Sequence, residues 1–308
     1  MDYTYTSARV SALEGGLLSR QNAEALAASK SAADCVKMLN SFGYKGENAE
    51  EIILNAKQKK QKIISELIEN PEEIEVLFYE KTFHNLKAAV KKLYAPHTIG
   101  KLYVDEALVS GEEFEEKINA GKYEALPEYC RDAAKEAYKT IIRTGDGRLS
   151  DIIIDRACMD AAIKFGEKTK HEILKKYARE FVTVSNIKIA LRFAGDDTEL
   201  LDTALAEGAN IPKAALIKAC SDKKTLNDFL NGCGYSDVTA DNIDIQAKQK
   251  IITTIKPEKY NIFSPAPTIN YIINLENEIS LLRLILVCKT NGVNNEFIKR
   301  RVVMSYDV

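Results

Sequence analysis

The chain has 308 residues, of which 45% are hydrophobic and 29% carry a charge. This length is ample for a buried core, and size alone predicts about two domains. Lys and Arg number 43 against 45 Asp and Glu, a balance that argues against a nucleic-acid-binding surface. Apolar runs stay well short of the roughly 18 residues of a membrane span. The opening MDYTYTSARV lacks the apolar core of a signal peptide. We therefore expect a soluble, unexported protein.

Long stretches run without helix breakers, because the chain has only 15 Gly and 7 Pro. Apolar residues recur at helical spacing throughout, and alternating strand patterns are hard to find, which predicts an all-α fold. Ser19, Asn48 and Thr239 are predicted N-caps, since their side-chain oxygens can accept from free amides of a first helical turn. Pro71 suits the first turn of a helix.

Three landmarks recur along the chain with a period near 95 residues. The first landmark is a glycine before or within a short apolar segment, at Gly16, Gly111 and Gly208. The second is a tyrosine that closes a helix-turn segment, at Tyr44, Tyr138 and Tyr235. A long helix carries an apolar trio spaced by three and then four residues: Phe83, Leu86 and Val90, then Val184, Ile187 and Leu191, then Ile279, Leu282 and Leu286. The letters KQKII also occur at 60–64 and at 248–252. This agreement predicts three similar helical units, 1–107, 108–204 and 205–308.

Each unit is predicted to contain two short helices followed by two long ones. The short helices begin near Leu17, Phe114 and Ile211, and the long ones are expected at 49–69 and 72–95, at 149–168 and 171–193, and at 240–256 and 267–290. In the helix at 72–95, an apolar stripe predicts the buried face: Tyr79, Phe83, Leu86, Val90 and Leu93. Three such units can close around a pseudo-threefold axis or stack as an open solenoid, and the sequence leaves both possibilities open.

A search for chemical motifs gives no catalytic, cofactor-binding or metal-binding residues. Neither GxxxxGK[ST] nor a strand followed by GxGxxG is present. The glycine-rich Thr144–Arg148 is interpreted as a turn between helices, with a phosphate-binding loop as the remote alternative. The acidic pairs are interpreted as helix-start residues that complement the helix dipole, and they lie at 72–73, 112–113, 115–116 and 196–197. The six cysteines form no CxxC pair and are expected to be reduced packing residues: Cys35, Cys130, Cys158, Cys220, Cys233 and Cys288.

The basic residues and histidines are also given structural interpretations. The lysine run at 57–62 is expected to be a solvated helix face, with contact to an acidic partner as the alternative. Arg283 is expected in a structural ion pair, because Glu276 and Glu278 lie upstream. The histidines are not at metal-ligand spacing, and His171 is expected at a helix start, His84 partly buried or on a helix flank, and His97 in a loop.

Both ends of the chain resemble a known family. The opening YTYTSARVSALEGGLLS contains the Ala8–Arg9 step and the paired leucines Leu17 and Leu18. The close ENEISLLRLILVCKTNGVNNEFIKRRVV contains a glutamate-rich approach, a Leu-Arg step, a lysine followed by a glycine, and an Ile-basic tail, namely Glu276, Glu278, Leu282–Arg283, Lys289, Gly292 and Ile298–Arg301. Together they resemble the C subunits of archaeal-type and bacterial V-type ATPases, which are called d subunits in eukaryotes. The middle unit departs from its siblings at Tyr123–Tyr138, which contains Pro127.

The resemblance implies a funnel of three helical units around a central cavity. It implies a non-catalytic central-stalk subunit that links the rotor shaft, made of the D and F subunits, to the membrane proteolipid ring. Such a subunit transmits torque for proton or sodium transport, and it needs no cofactor, nucleic acid or small-molecule substrate. It would lie on the cytoplasmic face of the cell membrane. The alternatives are a helical repeat scaffold that binds another protein and an enzyme whose site is assembled from distant residues.

Overall fold

A computed structural model describes residues 3–96, 102–195 and 198–306. Within these ranges the chain contains helices and no strands, which confirms the predicted all-α class. The α-helices are α1 Tyr3–Glu14, α2 Arg20–Ala28, α3 Ala32–Ser41, α4 Ala49–Leu67, α5 Tyr79–Tyr94, α6 Gly111–Asn119, α7 Glu128–Thr144, α8 Gly147–Lys168, α9 Glu172–Phe193, α10 Thr198–Ala204, α11 Lys213–Ala219, α12 Lys223–Gly232, α13 Ile243–Ile255, α14 Ala266–Thr290 and α15 Asn295–Met304. Short 3₁₀ helices occupy Pro71–Phe78, Tyr123–Ala125 and Lys256–Tyr260. None of the described helices is both long and apolar enough to cross a bilayer.

Capping side chains set several helix starts. Ser19 accepts from the Asn22 amide at 3.2 Å, and Asn48 accepts from the Glu51 amide at 3.0 Å, as the sequence predicts. The prediction for Thr239 is wrong, because α13 begins after Asn242, which makes no side-chain cap. Pro71 does open a helix, but that helix is 3₁₀ and the regular helix α5 starts only at Tyr79.

The chain divides into two compact bodies. The first contains both ends of the chain and comprises Met1–Pro71, His171–Ile173 and Asp241–Val308. The second comprises Glu72–Lys170 and Leu174–Ala240. The predicted boundaries of the three sequence units, at 107/108 and 204/205, stay a prediction.

Helix α14 forms the centre of the first body. Sixteen of its 25 residues are buried, so neighbouring elements cover most of its surface. The C-terminal half of α14 packs on α2, α3 and α15 through Leu282, Leu286 and their neighbours. The N-terminal half packs on α1 and α4 through Tyr271, Leu275 and Ile279.

Helix α5 and its aromatic side chains organise the second body. The first four residues of the predicted stripe, Tyr79 to Val90, are buried as expected, and Leu93 is half-buried. The Tyr79 ring lies 4.8 Å from the Tyr129 ring of α7 and 6.2 Å from the Phe165 ring of α8, measured between centroids. Offset and edge contacts of this kind stabilise a core beyond the area that they bury.

The repeat landmarks have distinct structural causes. The Tyr44 amide donates to the Leu39 carbonyl at 3.0 Å after α3, and the Tyr235 amide donates to the Leu230 carbonyl at 2.9 Å after α12, so these two turns match. Tyr138 lies inside α7 and closes no turn, so its assignment as the middle landmark is wrong. Gly111 is close to the Tyr103 ring, which a Cβ atom at this position would overlap.

Candidate functional site

Polar side chains of α5 hold the chain segment that leads into α6. Thr82 Oγ1 accepts from the Leu108 amide at 2.9 Å. The Asn85 side chain accepts from the Val104 amide at 2.8 Å and donates to the Val104 carbonyl at 3.0 Å. Thr82 and Asn85 are both buried, and their hydrogen bonds satisfy backbone groups that would otherwise be costly to bury. We call this arrangement the first joint.

Helix α9 repeats the arrangement with the segment that leads into α11. Thr183 Oγ1 accepts from the Asn210 amide at 2.8 Å. The Asn186 side chain accepts from the Ala206 amide at 3.0 Å and donates to its carbonyl at 2.9 Å. This second joint has the same residue types, three positions apart, as the first joint. Both joints lie in the second body.

Helix α14 makes a third joint with the segment that leads into α2. The Glu278 carboxylate accepts from the Leu18 amide, and the Tyr306 hydroxyl donates to the Leu18 carbonyl at 2.8 Å. Thr82, Thr183 and Glu278 each directly precede the first residue of the predicted apolar trios. The three joints therefore occur at equivalent positions, and the third lies in the first body, between the last part of the chain and its start.

Glu278 is a carboxyl group in an apolar setting. Its residue is 9% exposed, and burial raises its pKa, an effect that the Leu18 amide opposes. Burial and the nearby carboxylate raise the pKa of the tyrosines around it, that of Tyr271 to about 12 and that of Tyr44 further. Since threonine makes the same hydrogen bond in the other two joints, we interpret Glu278 as a structural residue.

A cleft of about 500 Å³ lies beside Glu278, between α13, α14 and α15. Leu18, Leu281 and Leu284 give it an apolar wall, while Lys248 and Arg301 bring positive charge. The cleft is therefore lined by both apolar and charged side chains.

Lys289 of α14 makes hydrogen bonds to α2 and α15 within the first body. Its ammonium donates to the Ala27 and Ser29 carbonyls, at 2.7 and 2.5 Å, and to Asn295 Oδ1 at 2.6 Å. The two carbonyls belong to the C-terminal end of α2, where the helix dipole favours a positive charge. The residue is 8% exposed. This buried lysine joins α14 to α2 and α15 through oxygen acceptors.

Ion pairs also cross between long helices. In the first body, Lys60 of α4 pairs with Glu276 of α14. Lys60 is 2% exposed, so the expectation that the whole lysine run faces solvent is wrong for this residue. Lys62 of the same run is exposed and follows the expectation. In the second body, Lys87 and Lys91 of α5 pair with α8 at 2.6 and 2.7 Å, through Asp155 and Asp151.

The glycine-rich motif Thr144–Arg148 lies between two helices of the second body. Thr144–Arg148 is a turn between α7 and α8, as predicted: Gly145 has a φ of +69°, and Asp146 caps α8 by accepting from the Arg148 amide at 2.8 Å. Hydrogen bonds from Arg148 lower the pKa of Asp146.

The ion-pair prediction for Arg283 is wrong, because this side chain is exposed and pairs with no residue that the structure describes.

The two described histidines lie at different helices. His171 lies directly before α9, as expected, and His84 is exposed on α5, with Nε2 3.3 Å from the Leu102 carbonyl oxygen. His97 and the acidic pair 196–197 lie outside the described residues. No group of three or more His, Cys, Asp or Glu side chains in those residues is arranged to hold a metal ion, and the expected absence of a metal site stays a prediction.

Four of the six cysteines are buried, which confirms their packing role: Cys35, Cys130, Cys158 and Cys220. Burial raises the pKa of Cys130 to about 12 and that of Cys220 to about 11. Thiols with pKa values this high are poor nucleophiles near neutral pH.

The family of the chain follows from its similarity to known proteins. Residues 6–301 match the family model described as ATP synthase (C/AC39) subunit. The chain belongs to this family. It is also 23% identical over 270 residues to the C subunit of the V-type sodium ATPase of Enterococcus hirae, a similarity that covers 82% of each chain. The resemblance seen at the two ends of the sequence is thereby confirmed. The matched residues include Lys289, the Lys60–Glu276 pair and the acceptors of the three joints, Thr82, Thr183 and Glu278.

Proposed function

We propose that the chain is the non-catalytic central-stalk subunit of a V-type ATPase, which links the rotor shaft of the D and F subunits to the membrane proteolipid ring. The observation that carries this proposal is the match to the C/AC39 family over residues 6–301. In this role the chain lies on the cytoplasmic face of the membrane and transmits torque for proton or sodium transport. It assembles with protein partners and uses no cofactor, nucleic acid or small-molecule substrate.

The three joints support the presence of three similar helical units. The first two units each hold the segment that enters the next unit, through Thr82 and Thr183. The last unit holds the segment that enters the first unit, through Glu278. A repeated unit of this kind is what the proposed subunit requires.

Rigidity also supports the role of a torque-transmitting spacer. A part of this kind needs close packing and cross-links between helices, and it needs no reactive group. The buried Lys289 and the Lys60–Glu276 pair provide cross-links between the start and the end of the chain.

The test is deletion of the chain from its own cell, followed by assays on the membranes and on the released soluble head. We expect ATP hydrolysis by the head to persist, while ATP-driven ion accumulation in membrane vesicles is lost and returns when the chain is supplied again. Loss of hydrolysis by the detached head would contradict the non-catalytic role. Unchanged ion accumulation would contradict the coupling role.

A further inference from the structure

An apolar tip projects from the first body between the 3₁₀ helix Lys256–Tyr260 and α14. Of the large hydrophobic side chains that the structure describes, the two most exposed are Phe263 at 78% and Tyr260 at 72%. Ile262 is also exposed. We call residues 260–263 the tip. Exposed aromatic groups grouped in this way are costly in water and typical of binding surfaces.

The tip has a defined backbone conformation. The Asn261 amide donates to the Glu258 carbonyl at 3.0 Å, and the Ser264 hydroxyl donates to the Asn261 carbonyl at 2.8 Å. The Ser7 hydroxyl of α1 fixes the tip from outside by donating to the Ile262 carbonyl at 3.1 Å. Because this conformation is held before any partner binds, association loses little conformational entropy at the tip.

The charge beside the tip is positive. Lys259 Nζ lies 5.2 Å from the centroid of the Tyr260 ring, and Lys256 is exposed and pairs with no residue that the structure describes. The intervening Glu258 already takes part in interactions within the chain. A complementary surface would therefore place carboxylates around an apolar recess.

Size and shape favour a protein recess over a lipid bilayer. Stable attachment to a bilayer takes a long apolar helix face, or an acyl chain with a polybasic patch. The tip offers three apolar side chains and two adjoining lysines. Aromatic anchors in a fixed geometry are the usual centre of a protein–protein interface.

We propose that the tip inserts into an apolar recess, rimmed by carboxylates, on a neighbouring subunit of the ATPase. This inference rests on the proposed function for the identity of the partner complex. Tyr260 and Phe263 are the anchors, and Lys256 and Lys259 face the carboxylates of the rim.

The first experiment measures rebinding of the purified chain to the ATPase from which the chain has been removed. The Tyr260→Ser/Phe263→Ser double variant should bind about 10- to 100-fold more weakly than the wild type, a loss usual for two aromatic anchors. The matched control is Ile142→Ser, an apolar residue of α7 that is 57% exposed, and it should bind like the wild type. Thermal melting should be unchanged in both variants, because the substituted side chains are exposed. Wild-type affinity in the double variant would overturn the proposal.

The second experiment identifies what the tip touches. A photoreactive benzoylphenylalanine replaces Phe263 in the assembled complex, and the adduct is located by mass spectrometry. We expect an adduct to one ATPase subunit at a peptide that contains Asp or Glu. An adduct to lipid or to a protein outside the ATPase, or no adduct, would overturn the proposal. If deletion of the chain uncouples the ATPase while the tip variants bind normally, the tip inference fails alone. If deletion leaves coupling intact, the proposed function fails.

Discussion

Substitution of Lys289 by methionine tests whether the buried ammonium holds the two ends of the chain together. The change keeps an unbranched side chain of similar length and removes the donor to Ala27, Ser29 and Asn295. The Ala27 carbonyl is buried, and the loss of its hydrogen bond should lower the free energy of unfolding by about 2 kcal/mol. The Ser29 carbonyl and Asn295 Oδ1 are partly buried, and the loss of their hydrogen bonds should add about 1 kcal/mol together. We expect a loss of about 3 kcal/mol in the free energy of unfolding of the first body.

Urea unfolding followed by circular dichroism measures this loss. With a slope of about 2 kcal/mol/M, the midpoint should fall by about 1.5 M. The matched control is Lys62→Met, which removes an exposed lysine of α4 whose ion pair spans 3.7 Å. That variant should change stability by less than about 0.5 kcal/mol. A midpoint shift for Lys289→Met no larger than that of the control would refute the assignment of Lys289 as a cross-link.

Three further substitutions probe the joints and the helix contacts. Because the pKa of Glu278 is raised above its ordinary 4.5, its contribution to stability is fully present below pH 4.5 and is lost as pH rises through the folded-state value. The Glu278→Gln variant should lack this pH dependence, so its free energy of unfolding relative to the wild type should rise with pH in unfolding titrations. A difference in free energy that stays constant with pH would contradict the raised pKa of Glu278. The Lys60→Glu substitution should lower the free energy of unfolding by about 3 kcal/mol, because it places two carboxylates together. Adding Glu276→Lys should recover part of this loss in a double-mutant cycle. Strictly additive effects of the two substitutions would exclude the contact between residues 60 and 276. Gly111→Ala should lower the melting temperature despite the higher helix propensity of alanine, because the Tyr103 ring occupies the space, and an unchanged or higher value would show that the ring moves away freely.

Helical periodicity predicted the long elements closely. Helix α9 begins one residue after its predicted start and ends at its predicted end, and α14 begins one residue before its predicted start and ends at its predicted end. The trio alignment also relates the positions of the three joints, although the sequence analysis did not single out Thr82 or Thr183 as hydrogen-bond acceptors. A signal was available, since the pattern Thr-x-x-Asn occurs at both places. It is absent from the third joint, where glutamate and leucine take the two positions.

The polar residues were the hardest to place from the sequence. Lys60 belongs to a run of lysines, and its neighbour Lys62 is exposed, so charge density alone predicted solvent. Its burial depends on Glu276, which is 216 residues away in the chain. Arg283 shows the opposite error, because its apolar neighbours predicted a buried ion pair while its own direction from α14 leaves it exposed.

The sequence by itself determined the all-α class, the approximate bounds of the long helices and the family, because spacing along a helix and local residue order are properties of neighbouring residues. Only the tertiary structure decided which polar groups are buried and what they bind. The contacts of Lys289 with Ala27 and of Glu278 with Leu18 join residues 262 and 260 positions apart. No local pattern encodes such a pairing, since it arises from the packing of α14 against α2 and the segment before it.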